Sequence, residues 1–167
     1  MKNNIVCYTD GACSYNPGPG GFGIVFIKNN KVSSLFYGGN DYTTNNRMEL
    51  LGVIEAVNIA KNNKYDSIEI FSDSAYVVNA VTNKWFINWE RNGWITSQNK
   101  PVKNKDLWLK LMKAMEEIEI KFSKVKGHTG EEFNEIADKL AVKATNDISE
   151  EKISVGRVYN VSSSEDR

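Results

Sequence analysis

Three carboxylates stand where chemistry could be placed. Asp10 closes the first apolar run, Glu49 lies in the first turn of a helical stretch, and Asp73 closes a later run. In open α/β sheets, sites form outside the carboxyl ends of strands, so Asp10 and Asp73 converge if their strands are adjacent and parallel. A fourth acid, Asp138, sits mid-helix among Ile136, Ala137, Leu140 and Ala141, an odd place for an acid unless it faces positive charge. Carboxylates sharing one pocket repel and cannot all stay ionised without counter-charge. A hard divalent cation supplies it: Mg²⁺ takes oxygen ligands and is held by a few carboxylates together with substrate phosphates. Two such ions flanking a phosphate clamp the attacking and leaving oxygens of an in-line displacement. Taken singly, each acid reads more simply as a solvated or capping carboxylate, and spacing alone does not choose between the two.

The elements that must carry these residues follow from local pattern. Residues 5–9 read as a strand ended by Asp10-Gly11, and residues 12–21, with Pro17, Pro19 and three glycines, read as a loop. Residues 22–28 and 32–37 form two strands joined by Lys28-Asn29-Asn30-Lys31, a hairpin in which Asn can take positive φ. A helix spans 45–61, with Thr44, Asn45 or Asn46 as its N-cap. Its polar positions Glu49, Gly52, Glu55 and Asn58 leave only a narrow wet stripe, so Glu49 must line a polar cleft or meet a cation. A strand at 67–72 precedes a helix at 75–82 capped by Ser74, an amphipathic helix follows at 106–118 and a strand at 119–126. Gly127-His128-Thr129-Gly130 reads as a turn, and residues 131–145 as a last helix with Ile136, Leu140 and Ala144 on one face. The order is that of a hairpin-led mixed sheet flanked by helices, an α/β fold. Residues 1–146 form one domain; residues 147–167 read as a tail of flexible composition, in which Ile153–Val161 has the pattern of a short strand but is not counted as one.

Composition agrees with an ordinary globular chain of 167 residues, 41% hydrophobic and 25% charged, with material enough for a core without disulfides. Cys7 and Cys13 are too few for a disulfide framework and read as reduced cytoplasmic thiols. No apolar run approaches the ~20 residues needed to span a bilayer, and the start of the chain reads as strand rather than signal peptide. Net charge is zero, yet it is unevenly spread: residues 84–126 carry ten Lys/Arg against five Asp/Glu, while residues 127–167 carry five against nine. Such a dipolar surface is compatible with a polyanionic partner, and equally with chance in a Lys-rich chain.

Four motifs decide among these readings: Tyr8-Thr9-Asp10-Gly11-Ala12 with Asn16-Pro17-Gly18-Pro19-Gly20-Gly21; Thr43-Thr44-Asn45-Asn46-Arg47-Met48-Glu49-Leu50; Ser72-Asp73-Ser74-Ala75-Tyr76-Val77; and Val125-Lys126-Gly127-His128-Thr129-Gly130 with Asn134 and Ala137-Asp138. In order, from about residue 5 to residue 144, they resemble type I ribonuclease H. The resemblance implies a five-stranded mixed sheet and Mg²⁺-dependent endonucleolytic cleavage of RNA paired to DNA, with two ions in the substrate complex and Mn²⁺ able to substitute. Asp10, Glu49, Asp73 and Asp138 match the metal-binding carboxylates, and His128 the loop histidine that assists proton movement or product departure. Gly11 and Cys13 with Asn16, Asn45 and Asn46 match positions lining the minor groove, where the 2′-hydroxyl distinguishes RNA from DNA; capping is the plainer role for the two helix-start asparagines. Lys84, Trp85, Trp89, Arg91, Lys100, Lys103 and Asn104 match a basic protrusion that meets the DNA strand, with Thr44 sharing a phosphate pocket with Asn104. The implied protein is a cytoplasmic monomer acting on an RNA/DNA hybrid, with no membrane partner.

Three positions depart from the family pattern. Ala75 stands where Gln is common, Tyr42 where Arg is frequent, and Glu90 dilutes the protrusion; none touches the carboxylates, so they bear on affinity rather than chemistry. A strand-transfer or junction nuclease of the same fold is the rival enzyme reading. A hybrid-binding module without catalysis would show a lost carboxylate, and none is lost.

Overall fold

Two positive-φ asparagines, Asn29 at 54° and Asn30 at 62°, close the hairpin on which the sheet is built. This is the turn geometry whose twist matches that of flanking strands. It joins strand β2 (Gly18–Lys28) to β3 (Lys31–Thr43), and β2 in turn lies antiparallel to β1 (Asn4–Cys13). The computed structural model describes residues 3–125 and 132–162. Chain order continues with α1 (Asn45–Asn62), β4 (Ser67–Ser72), α2 (Ala75–Thr82), α3 (Trp85–Arg91), α4 (Lys105–Met115), β5 (Glu119–Lys124), α5 (Glu132–Ser149) and β6 (Val158–Asn160). The sheet order is β5-β4-β1-β2-β3-β6, with β1, β4 and β5 parallel and the remaining neighbours antiparallel.

Both faces of the sheet are covered, and β2 shows how. Phe22, Ile24 and Phe26 join one buried cluster with Met48, Val53 and Val57 of α1, whereas Val25 and Ile27 join Ala137, Leu140 and Ala144 of α5. Successive residues of a strand point to opposite faces, so a continuous apolar run is what a doubly covered strand requires. At Gly21 the approach of α5 is close enough that a β-carbon would stand 2.5 Å from the Ala144 Cβ and 2.7 Å from the Thr145 amide nitrogen.

The structure corrects three expectations. The loop assigned to residues 12–21 shrinks to residues 14–17, because the β1–β2 ladder runs on through Ala12↔Gly21 and Cys13↔Gly20. Pro19 sits at the irregular step between the Gly18 and Gly20 pairings with β3, where a strand can accommodate a missing donor. The sheet has six strands rather than five: Phe36, Tyr37 and Gly38 pair with Asn160, Tyr159 and Val158. Finally, the boundary at residue 146 falls inside α5. Asp147 is buried and accepts a hydrogen bond from the Tyr37 hydroxyl at 2.5 Å, and Ile148 is buried beside Gly39, so this part of the expected tail belongs to the core.

Candidate active site

Parallel pairing of β1 with β4 ends at Thr9↔Ser72, which places Asp10 and Asp73 side by side one residue further on. The third acid arrives from above. Thr44 caps α1, its side-chain oxygen accepting from the Arg47 amide at 3.2 Å, and this starts the helix four residues before Glu49 has to enter the cleft. Gly11 allows the helix to sit directly on the strand: a β-carbon there would lie 2.6 Å from the Glu49 nitrogen and 2.8 Å from the Met48 carbonyl carbon. As a result, carboxylate oxygens of Asp10, Glu49 and Asp73 lie within 4.8 Å of one another. Asp10 and Glu49 are buried at 5% exposure each, while Asp73 is exposed.

The electrostatics of this cluster are unfavourable as it stands. Burial first, then repulsion from Asp10 and Asp73, raises the pKa of Glu49 to about 10. Burial, repulsion from Asp73 and a hydrogen bond with Asp138 raise that of Asp10 to about 8, although the Gly11 amide donates to its Oδ1 at 2.9 Å. Asp138 therefore reaches Asp10, but it is not one of the three acids whose oxygens gather within the common 4.8 Å. Glu49 Oε1 is buried without a hydrogen-bond partner among the described residues. An unpaired buried carboxylate oxygen is costly, and a cation bound by oxygen donors is what relieves both the orphaned atom and the repulsion. The donor set, all carboxylate, fits a hard divalent ion.

Around the acids the structure arranges the other expected residues in two groups. On one side the Asn45 amide donates to Asn16 Oδ1 at 2.8 Å, tying the loop after β1 to the start of α1 beside Gly11, Thr44 and the exposed Asn46. The Cys13 thiol donates to the Thr43 carbonyl at 3.3 Å, and burial pushes its pKa up, so it is a packed thiol and no nucleophile. On the other side, α3 and the following loop hold Trp85, Trp89 and Trp94 in successive ring contacts at 6.4 and 6.1 Å, with Trp89 also against Trp108 at 5.4 Å. Lys84, Arg91, Lys100 and Lys103 are exposed around this aromatic base. These residues are not brought into the acid cluster; they form a separate surface reached through Asn104 and α4. His128 lies outside the described residues.

Three residues of evident structural weight were not among the expected ones. Arg47 donates to Asp106 Oδ1 and Oδ2 at 2.9 and 2.7 Å, and to Asn104 Oδ1 at 3.3 Å. Tyr76 accepts from Asn104 Nδ2 at 3.0 Å and from the Trp108 indole at 2.9 Å. A signal for Arg47 did exist: a cation in the first turn of a helix opposes the macrodipole and needs an anionic partner. Nothing local points to Asp106 or Tyr76.

The RNase H family profile matches residues 2–146. The ribonuclease H of Hyphomonas neptunium is 48% identical over 147 residues, covering 88% of this chain and 95% of that relative. Among solved structures, LC9-RNase H1, described as a type 1 RNase H with the type 2 active-site motif, superposes with a TM-score of 0.80 at 26% identity, covering 99% of this chain and 81% of the other. LC11-RNase H1, solved in complex with an RNA/DNA hybrid, gives a TM-score of 0.68 at 22% identity over 87% of this chain and 99% of the other, a likeness of fold.

Proposed function

The chain belongs to the ribonuclease H family, and we propose that it hydrolyses the RNA strand of RNA/DNA hybrids at the Asp10–Glu49–Asp73 cluster. The observation that carries this reading is the gathering of three carboxylates within 4.8 Å with one Glu49 oxygen buried and unpaired among the described residues. Such a site is built for divalent ions, with Mg²⁺ the ion of this proposal, Mn²⁺ a substitute, and Asp138 completing the ligand set from α5. Ions held by these carboxylates would supply the Lewis acidity that lets a water give up its proton and attack phosphorus, and would offset the charge on the departing oxyanion. The carboxylates hold and orient that chemistry at one phosphodiester, so that water enters opposite the 3′ oxygen and the products carry 5′-phosphate and 3′-hydroxyl ends. His128 is assigned to proton movement or product release.

Hybrid selectivity falls to the rim that joins Gly11 and Cys13 to Asn16, Asn45 and Asn46. Amide and backbone groups both donate and accept, matching a 2′-hydroxyl that does the same. The lysines and Arg91 around the tryptophan base, with Thr44 and Asn104, would meet the phosphates of the DNA strand. No described helix is long and apolar enough to cross a membrane. On the family resemblance, and not on that absence, we propose a cytoplasmic monomer.

The test is a gel assay of end-labelled RNA/DNA, RNA/RNA and DNA/DNA duplexes, with Mg²⁺ and with EDTA. Cleavage confined to the RNA of the hybrid, dependent on Mg²⁺ and abolished in Asp10→Asn, is expected. Equal cutting of the DNA duplex, or full activity in EDTA, would overturn the assignment.

A further inference from the structure

Between the acid cluster and the aromatic base runs a chain of hydrogen bonds that the proposed reaction does not itself require. Arg47 sits on α1 two residues before Glu49, and its guanidinium grips Asp106 with both nitrogens, at 2.9 and 2.7 Å, across from the first turn of α4. The same Nη1 donates to Asn104 Oδ1 at 3.3 Å. Arginine has no acceptor, so the amide of Asn104 must turn its oxygen toward Arg47 and its nitrogen away. That nitrogen donates one hydrogen to the Tyr76 hydroxyl at 3.0 Å. The hydroxyl also accepts from the Trp108 indole at 2.9 Å. Tyr76 follows Asp73 by three residues at the start of α2, so the chain ties together the helix of one catalytic acid, the helix behind another, and the root of the basic segment.

The donor and acceptor count gives this chain a direction. Two donors fill both acceptor sites of the Tyr76 hydroxyl, leaving its own hydrogen to point elsewhere. Asn104 has used its oxygen on Arg47 and keeps a second N–H. Both groups are half-buried rather than sealed. Tyr76 also borders an open cavity of about 430 Å³ that is lined by Lys100 and Lys103. Two adjacent neutral donors beside two cations present hydrogens and positive charge together. That pattern matches an anionic phosphate oxygen and rejects a group that can only donate.

We propose that Arg47 is a positioning residue for substrate: by holding the Asn104 oxygen and clamping Asp106, it sets the amide nitrogen and the Tyr76 hydroxyl as paired donors to one backbone phosphate of the hybrid. In this arrangement both Nη atoms of Arg47 are turned to Asp106 and Asn104, and the phosphate is met by the groups it positions rather than by the guanidinium itself. Lysine cannot replace it, because a single ammonium cannot make the two-pronged grip on Asp106 and reach the amide at once. The inference rests on the hybrid-cleaving reading above, and its test separates the two.

The full-length protein and its Arg47→Lys, Asn104→Ala, Arg47→Lys/Asn104→Ala and Tyr76→Phe variants are compared on one RNA/DNA hybrid across a salt series, with KM and kcat measured separately. Hybrid affinity is also measured in EDTA, where no cleavage occurs. The expected result is a five- to tenfold rise in KM for Arg47→Lys with kcat within twofold of wild type. The slope of log affinity against log salt stays unchanged, because no phosphate contact by a cation is lost. In the Asn104→Ala background the lysine substitution adds nothing further, and Tyr76→Phe, which keeps the ring against Trp108, raises KM about threefold. Multiplying effects of Arg47→Lys and Asn104→Ala would overturn the proposal. So would a slope reduced by about one, which marks a direct phosphate contact, a loss confined to kcat, or a Tyr76→Phe variant indistinguishable from wild type. Should the wild-type protein bind hybrids in EDTA but cut none with Mg²⁺, the catalytic reading fails while the affinity comparison still decides the role of Arg47.

Discussion

Replacing Asp10 by Asn should make the protein more stable while abolishing its chemistry. The folded state holds Asp10 with a pKa of about 8, against the ordinary 3.8. A carboxyl whose folded pKa is raised stabilises the fold when protonated, so its contribution is complete at low pH and is lost as pH climbs toward about 8. Each tenfold step in the protonation equilibrium is worth about 1.36 kcal/mol, so at pH 7 the penalty is on the order of 4 kcal/mol, and at pH 5 about 2. Asparagine has nearly the same shape, can accept from the Gly11 amide, and also removes one source of repulsion on Glu49. Because the amide remains a buried polar group, about 2–4 kcal/mol of stabilisation is expected at pH 7. For a domain of this size that is a rise in Tm of at least about 4 °C. The assay is thermal or urea unfolding of both proteins in EDTA at pH 5, 6, 7 and 8, repeated with increasing Mg²⁺. The gain should grow with pH, and Mg²⁺ should stabilise the wild type more than the variant, because only the wild type keeps all three ligands. A variant no more stable than wild type at pH 7 in EDTA, or a gap that does not change with pH, would refute the electrostatic account of the cluster.

Other consequences can be checked with variant proteins. Gly11→Ala places a β-carbon 2.6 Å from backbone of α1, so it should cost about 2 kcal/mol or more and depress kcat by displacing Glu49; an unchanged melting temperature with normal turnover would contradict the close approach. Lys100→Ala/Lys103→Ala should weaken hybrid binding and lower the slope of log affinity against log salt by up to about two, with kcat at saturation preserved; an identical slope would remove these lysines from the phosphate contacts. Ending the chain after residue 146 should cost at least about 3 kcal/mol, since it leaves the Tyr37 hydroxyl without Asp147, removes the buried Ile148 and strips β6 from the edge of β3; chemical denaturation with an unaltered midpoint would show that this segment carries no stability.

What was legible from sequence alone was whatever a few neighbouring residues decide among themselves. The Asn29-Asn30 turn and the Ser74 cap with its helix at 75–82 are set by side chains that satisfy or relax their own backbone, and the structure places them where local pattern put them; at the head of α1 the pattern offered Thr44, Asn45 or Asn46, and the structure chooses Thr44. The four motifs likewise named the acids, because chemistry demands particular residue types in a particular order. Pairings between distant segments were not legible. Gly38 and Gly39 look like the end of a strand, yet β3 runs on to Thr43 because β2 and α5 pack against it, and β6 exists because Phe36 to Gly38 offer it an edge. The same holds for Tyr37 with Asp147, and for Arg47 with Asp106 and Asn104, separated by 110, 59 and 57 positions. A hydrogen bond across such distances depends on two surfaces meeting, and neither residue carries a mark of the other. Residue order thus determined which groups this protein brings to its site; only the packed sheet and helices decided that Glu49 would have an oxygen unpaired among the described residues beside two other acids, which is the arrangement that calls for a cation.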